Sequence, residues 1–265
     1  MDKKIEEIED ILKKYGQEHL LNHYDKLDEK HKKQLIEQIE NIDFALIKSL
    51  YQNANKEEKN EKDEITPIDY LDKYKLNDKY KYYEDLGKRA IKEGKLAAVT
   101  MAGGQGTRLG HNGPKGTYDI GLASHKSLFE LLCDSLKEEG KKYGVTIPWF
   151  IMTSKENNQA TIEFFEKHKY FGYKKDQNIF FFIQGELPMV DTEGKILVNE
   201  EGLIKLAADG HGGIYESLVK SGMTKKMQHM GINWVFIGGV DNCLVKMVDP
   251  VLMGIAIDKK VTVAC

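Results

Sequence analysis

The sequence predicts an α/β protein: a mostly parallel sheet flanked by helices, preceded by an α-helical N-terminal region. Three observations carry the prediction. From Lys95 onward, short apolar runs alternate with glycine-rich turns and amphipathic stretches, the pattern of βαβ units. Before Lys95, apolar residues recur at helical spacing, and glycine occurs only at Gly16, Gly87 and Gly94. Composition shifts at the same place, because more than half of all Asp, Glu, Lys and Arg fall within the first 95 of the 265 residues. Two regions are therefore expected, 1–94 and 95–265.

In the first region Ile5, Ile8 and Leu12, then Leu35, Ile36 and Ile39, recur with polar residues between them, which gives amphipathic helices. Asn53–Glu64 (NANKEEKNEKDE) is polar and aperiodic and reads as a solvated linker. Helix is expected to resume with Thr66 as N-cap and Pro67 at the first helical position. In the second region the expected strands are Leu96–Ala102, Trp149–Thr153, Ile179–Gln184, Trp234–Val240 and Val261–Ala264. The expected helices are Ser127–Glu139, Ala160–Lys167, Ile214–Lys220 and Cys243–Ile257. Val190–Val198 reads as a β-hairpin, since the turn former Asp191-Thr-Glu-Gly194 separates two β-prone flanks. No internal repeat is visible.

Composition excludes several function classes. With 39 Lys+Arg against 42 Asp+Glu the formal net charge is -3, which argues against a nucleic-acid coat. Hydrophobic residues make up 41% of the chain, enough for a sizeable core, yet no stretch reaches the roughly 18 to 20 apolar residues of a membrane span. The N-terminus MDKKIEEIED has no apolar segment after its lysines, and Cys133, Cys243 and Cys265 are odd in number and far apart. A reducing cytoplasm is the expected compartment. Cys133 and Cys243 read as small packing residues, and His19, His23 and His31, without metal-ligand spacing, as solvated. The aromatic cluster Phe164, Phe165, Tyr170 and Phe171 reads as core packing.

The chemistry concentrates where the first strand runs into Met101-Ala-Gly-Gly-Gln-Gly-Thr-Arg-Leu-Gly110, followed by Pro114-Lys-Gly116. A strand entering such a loop suits an anion: glycines let the backbone approach closely and successive N–H groups converge on it. Arg108 adds a fork of donors matched to phosphate oxygens. A tight turn at a sheet edge is the plain alternative. No glycine is followed by Lys and then Ser or Thr, so the loop is not a Walker A loop. The dinucleotide fingerprint would need its third glycine at position 109, which is Leu109.

What fits over its whole length is G-G-x-G-T-R-L followed shortly by P-K, the signature of sugar nucleotidyltransferases. The chain resembles the UDP-sugar pyrophosphorylase family, the UTP-dependent sugar-1-phosphate uridylyltransferases, and within it the N-acetylglucosamine branch. The resemblance runs collinearly through Gln17-Glu-His-Leu-Leu21, Ile39-Glu-Asn-Ile-Asp43, Pro114-Lys-Gly-Thr-Tyr-Asp-Ile-Gly121, Pro148-Trp-Phe-Ile-Met-Thr153 and Phe164–Gly172. It continues through Phe182-Ile-Gln184, Leu187-Pro188, Asp209-Gly-His-Gly-Gly213, Val240-Asp-Asn242, Leu244-Val-Lys246 and Asp249-Pro250.

The resemblance implies a Rossmann-like nucleotidyltransferase domain over 95–265, expected to be incomplete at its C-terminal end. It implies UTP and a sugar 1-phosphate, with N-acetylglucosamine 1-phosphate first, as partners, and Mg²⁺ as cofactor. Arg108 and Lys115 are then the catalytic cations, and Ala102, Gly103, Gly104, Gly106, Thr107, Gln184 and Gly210 bind the nucleotide. His211 and Gly212 face the sugar, and Asp241 ligates the metal, although Asp241 or Asn242 also reads as the cap of the following helix, a role that can coexist with the first. The N-acetylglucosamine branch usually carries Asn where this chain has His211, so the same reaction with glucose 1-phosphate is the first alternative. A nucleotide-binding module without catalysis is the second.

Overall fold

The computed structural model describes residues 2–56, 66–67 and 69–265. In chain order these form α1 (Asp2–Tyr15), α2 (Glu29–Glu40), α3 (Phe44–Ala54), α4 (Lys79–Lys92), β1 (Leu96–Met101), α5 (Leu128–Tyr143), β2 (Trp149–Thr153), α6 (Asn158–Lys167), β3 (Ile179–Ile183), β4 (Glu186–Pro188), β5 (Leu206–Ala208), α7 (Ile214–Lys220), α8 (Met223–His229), β6 (Trp234–Gly239) and α9 (Pro250–Lys259). Among the described residues no helix is long and apolar enough to cross a membrane. The chain divides into two compact units, Met1–Pro67 with Glu186–Asp209, and Ile68–Gly185 with Gly210–Cys265.

In the first unit, Asp28 starts α2 by accepting from the His31 N–H at 2.8 Å, and Asp43 starts α3 by accepting from Leu46 N–H at 2.9 Å. Ile8, Leu12, Leu35, Ile36, Ile39 and Phe44 then bury one face of each helix together with Ile196, Leu203 and Ile204. The Gln17 amide fixes the arriving segment, donating to Gly194 O at 2.9 Å and accepting from Ile196 N–H at 2.9 Å. The expected hairpin at 190–198 does close around Asp191–Gly194, but as the isolated bridge Val190↔Ile196 and not as two strands, and Val198 pairs onward with Ile204. The short antiparallel pair β4 and β5 was not anticipated. His19 is half-buried rather than solvated, with Nε2 2.7 Å from Ile196 O.

The second unit is built on one four-stranded sheet in the order β3-β2-β1-β6, parallel throughout. Both faces are covered, which is why its strands are near-continuous apolar runs. Ala98, Trp149, Ile151 and Ile179 point to the side of α4, α5, α6 and α9, where Ile91, Phe129, Leu132, Phe165 and Met253 meet them. Ala97, Val99, Phe150, Met152, Phe180 and Phe182 point to the other side, against Ile214 and Leu218 of α7 and Met227 of α8. Phe164, Phe165, Tyr170 and Phe171 pack in the first of these layers, as expected of core aromatics.

Helix boundaries follow capping residues. Ser127 and Glu130 form a capping box that starts α5, and Gly144 ends it in a left-handed conformation at φ 71°. Several expectations need correction. The helix expected over Cys243–Ile257 begins only at Pro250, because Asp249 caps it by accepting from Val251 and Leu252 N–H, and a residue before proline avoids the helical region. Val261–Ala264 is an exposed tail and not a strand. Thr66 and Pro67 start no helix, and most of the expected linker at 53–64 lies outside the described residues. The compact units divide after Pro67, not at 94/95, because α4 packs on α9 within the second unit.

Candidate functional site

In the sheet of the second unit, β1 is followed by β2 and β3 on one side and by β6 on the other. Their connections leave the strands in opposite directions, opening the crevice outside the carboxyl ends where open α/β sheets bind ligands. The register aligns those ends, with Met101 paired to both Met152 and Gly239, and Thr153 to Ile183. Every candidate catalytic, nucleotide-binding, sugar-binding or metal residue falls in this unit, on the segments that follow β1, β3 and β6 or at the entry to α7.

After β1, Ala102 is buried and still tied to the sheet, its N–H donating to Met152 O at 2.8 Å. The chain then doubles back, so that Gly106 N–H reaches Gly113 O at 2.9 Å and Lys115 N–H reaches Gly104 O at 3.1 Å. Gly103, Gly104 and Gly106 are not in the left-handed region. Gly103 and Gly106 are required by space: a Cβ on Gly103 would stand 2.5 Å from Gln184 Oε1, and one on Gly106 2.8 Å from the His111 ring. His111 in turn meets the Thr117 hydroxyl at 2.7 Å and pins the far side of the loop. The loop amides of Gly103, Gly104 and Gln105 have no acceptor among the described residues.

Lys115 opens a turn of 3-10 helix, Lys115–Thr117, and its Nζ lies 3.0 Å from Asp241 Oδ2, joining the β1 loop to the segment after β6. Arg108, in the 3-10 turn Thr107–Leu109, is exposed and forms no ion pair among the described residues. Thr107 beside it is also exposed. Gln184 follows β3, is 8% exposed, and stacks its amide against Gly103. Next to it, Gly185 N–H donates to Ser217 Oγ of α7 at 3.0 Å. Gly210 (φ 79°) enters the turn His211–Gly213 that leads into α7; His211 and Gly212 are exposed, and the His211 carbonyl accepts from Ile214 N–H while its side chain makes no hydrogen bond among the described residues. The β1 loop, Lys115, Gln184 and Asp241 are thus drawn together, whereas among the described residues no hydrogen bond joins His211 or Gly212 to them.

Asp241 does not cap a helix. Nor does Asn242, which closes a local turn by accepting from Leu244 N–H at 3.2 Å; the Asp241 side chain is 64% exposed and paired with Lys115. Among the described residues no group of three or more His, Cys, Asp or Glu could hold a metal ion. One exposed carboxylate beside Lys115 has the donor chemistry of a hard divalent cation's ligand, the cation taking its other ligands from phosphate and water. Cavities of about 230 Å³ and 610 Å³ lie elsewhere, the first lined by Tyr15, Phe44 and Tyr51 and the second by Ile147, Tyr173 and Asn178. The candidate site is an open edge, as suits an anion held by backbone amides.

Asn157 was missed by sequence reasoning. It is 1% exposed, and its Nδ2 donates to Ala102 O at 3.0 Å and to Gly104 O at 3.3 Å. No motif flagged it, because its partners are main-chain atoms.

Comparison with known proteins supplies the family and the fold. A family profile described as UTP–glucose-1-phosphate uridylyltransferase matches residues 43–264. The chain is 38% identical over 264 residues to UDP-N-acetylglucosamine diphosphorylase 2 of Arabidopsis thaliana, covering 94% of this chain and 52% of that protein. It is 37% identical over 258 residues to UDP-N-acetylglucosamine pyrophosphorylase of Saccharomyces cerevisiae, covering 91% and 54%. It is similar in structure to the uridine diphosphate N-acetylglucosamine pyrophosphorylase of Trypanosoma brucei, crystallised with an inhibitor, with a TM-score of 0.76, 28% identity, and coverage of 98% and 55%. The chain spans about half the length of the curated relatives it matches. A glycine-rich loop folded back onto its lysine, at the carboxyl edge of a parallel sheet, and a profile matched over most of the length place the chain in the UTP–glucose-1-phosphate uridylyltransferase family.

Proposed function

We propose that this chain carries the nucleotide- and phosphate-handling part of a uridylyltransferase that forms a UDP-sugar and pyrophosphate from UTP and a sugar 1-phosphate, with N-acetylglucosamine 1-phosphate as the sugar substrate. The observation that carries the reading is the convergence of Lys115 on Asp241 at 3.0 Å beside the Gly103, Gly104 and Gln105 amides, which have no acceptor among the described residues. The relatives at 36–38% identity, named as UDP-N-acetylglucosamine enzymes, support the choice of sugar.

In this reaction an oxygen of the sugar 1-phosphate forms a bond to the α-phosphorus of UTP while the bond to the β-phosphate oxygen breaks and pyrophosphate leaves. Two anions have to meet, so the protein's share is neutralisation and alignment. The backbone of Gly103, Gly104 and Gly106, flanked by Ala102 and Thr107, wraps the nucleotide phosphates. Lys115 shifts from the Asp241 carboxylate to the reacting phosphate, and Arg108, in no ion pair among the described residues, closes from the exposed side. A cation roughly 4 Å from a developing charge is worth about 4 kcal/mol in gross Coulomb energy at an effective dielectric of about 20. Asp241 would hold Mg²⁺, which when bound supplies further neutralisation of phosphate charge. Gln184 offers the uracil edge a donor and an acceptor. Gly210, His211 and Gly212 serve the base and sugar side. His211 has no task as a general base, because a sugar phosphate is already ionised at pH 7.

His211 favours a second reading, the same reaction with glucose 1-phosphate. The unpaired cysteines suit a reducing cytoplasm. The test is Mg²⁺-dependent pyrophosphate release from UTP, run in parallel with N-acetylglucosamine 1-phosphate and glucose 1-phosphate. Release with the first is expected, and release with glucose 1-phosphate alone transfers the assignment to the second reading. Saturable UTP binding without release from either sugar would leave a nucleotide-binding module.

A further inference from the structure

Asn157 stands at the N-cap position of α6, where an asparagine ordinarily accepts a hydrogen bond from its own helix. Here it makes no such bond. Its Oδ1 accepts from Ser154 N–H at 2.8 Å, its own N–H donates to Ser154 Oγ at 3.2 Å, and both Nδ2 protons go to carbonyls of the β1 loop, Ala102 O and Gly104 O. Capping is thereby given up for a hold on another segment, and the buried amide has every donor satisfied.

The two carbonyls it holds are not arbitrary. All peptide bonds of the described residues are trans, and in a planar trans peptide the C=O of one residue and the N–H of the next point in opposite directions. Drawing Ala102 O and Gly104 O toward Asn157 therefore turns the N–H groups of Gly103 and Gln105 away from it. Gly104 O is held from a second direction by Lys115 N–H, which fixes that peptide plane. Neither the Gly103 nor the Gln105 N–H has an acceptor among the described residues.

We infer that Asn157 is a positioning residue for the phosphate site: it holds two alternate peptide planes of the β1 loop with their N–H groups turned outward to receive phosphate oxygens. This role rests on the proposed function. Asn157 touches no substrate, and acts only through the direction of the Gly103 and Gln105 amides. A carboxylate at 157 keeps the acceptor for Ser154 N–H but loses both donors, and it repels the carbonyls it replaces them against.

The experiment is a UTP titration followed by amide NMR and by calorimetry, with Mg²⁺, on the unmodified chain, on Asn157→Asp and on Asn157→Ala, each with a thermal unfolding curve. In the unmodified chain the Gly103 and Gln105 amide signals are expected to move downfield as UTP saturates. In both variants those shifts shrink and UTP binds roughly tenfold or more weakly, as the loss of a charge-assisted hydrogen bond predicts. In Asn157→Asp, affinity recovers in part on acidification relative to the unmodified chain, because a protonated carboxyl regains one donor; a purely structural role would not produce that pH profile. Saturable UTP binding by the unmodified chain that leaves both amide signals in place overturns the role of Asn157 alone, even if neither variant folds. Folded variants with unchanged UTP affinity overturn it as well. Absence of saturable UTP binding by the unmodified chain overturns the proposed function, and this role with it.

Discussion

Lys115 and Asp241 form an ion pair whose side chains are 23% and 64% exposed. A pair so open to solvent contributes about 0–1 kcal/mol to stability. Lys115→Ala should therefore leave the unfolding temperature nearly unchanged while lowering pyrophosphate release by roughly a hundredfold or more, the scale of losing one preorganised donor. Unchanged turnover in that variant would remove Lys115 from the phosphate site. The loop glycines separate in the same way. Gly103→Ala must displace the Gln184 amide, so it should weaken UTP binding more than it lowers stability, read by calorimetry against thermal unfolding. In Gly104→Ala the new methyl meets only the Lys115 side chain, 3.7 Å and beyond, and folding should not change. Burial pushes the Cys133 thiol up to about 12. A group raised that far stays protonated at pH 8, so Cys133 should resist alkylation in the native chain at that pH and react only on unfolding, while exposed Cys265 reacts at once. Legibility at this scale depended on what a residue touches. Lys115, Gln184 and Asp241 announced themselves through motif and strand end. Asn157 did not, because a residue that serves main-chain carbonyls leaves no pattern of side-chain types.

At the scale of elements, the sequence was most readable where one period covers a whole strand. Trp149–Thr153 was found as expected, since five consecutive apolar or β-branched residues buried on both faces admit little else. Ile214–Lys220 likewise coincides with α7. The errors lie where a capping residue outweighs the apolar pattern, as at Asp249-Pro250, or where apolar residues end in solvent, as at 261–264. The join between α4 and α9 was not legible either. Gly87 and Gly254 look like weak points of helices, yet a Cβ on Gly87 would stand 1.9 Å from Pro250 O and one on Gly254 1.8 Å from Tyr83 O. The two helices touch backbone to backbone at those positions, which no propensity scale reports. Gly254→Ala should lower stability by about 1–3 kcal/mol, through overpacking against main chain that cannot rotate aside, and a thermal unfolding curve measures it.

At the scale of the whole molecule, the fold class was legible because both signals that define it, helical period before residue 95 and strand-turn-helix alternation after it, are local. The partition was not, because it depends on which distant segments share a core. Ile196 (1% exposed), Leu203 (4%) and Ile204 (3%) complete the hydrophobic cluster of the N-terminal helices from far along the chain. Residues 1–67 expressed alone should accordingly lack a cooperative unfolding transition, and addition of a peptide covering 186–209 should restore helical circular dichroism; a cooperative transition in the isolated fragment would contradict this core. The same arrangement sets an order of events during synthesis. Translation delivers α1, α2 and α3 well before the residues that close their core, which leave the ribosome only after the whole of β1, β2 and β3 has been made, so these three helices wait with their apolar faces open and need protection from aggregation in that interval.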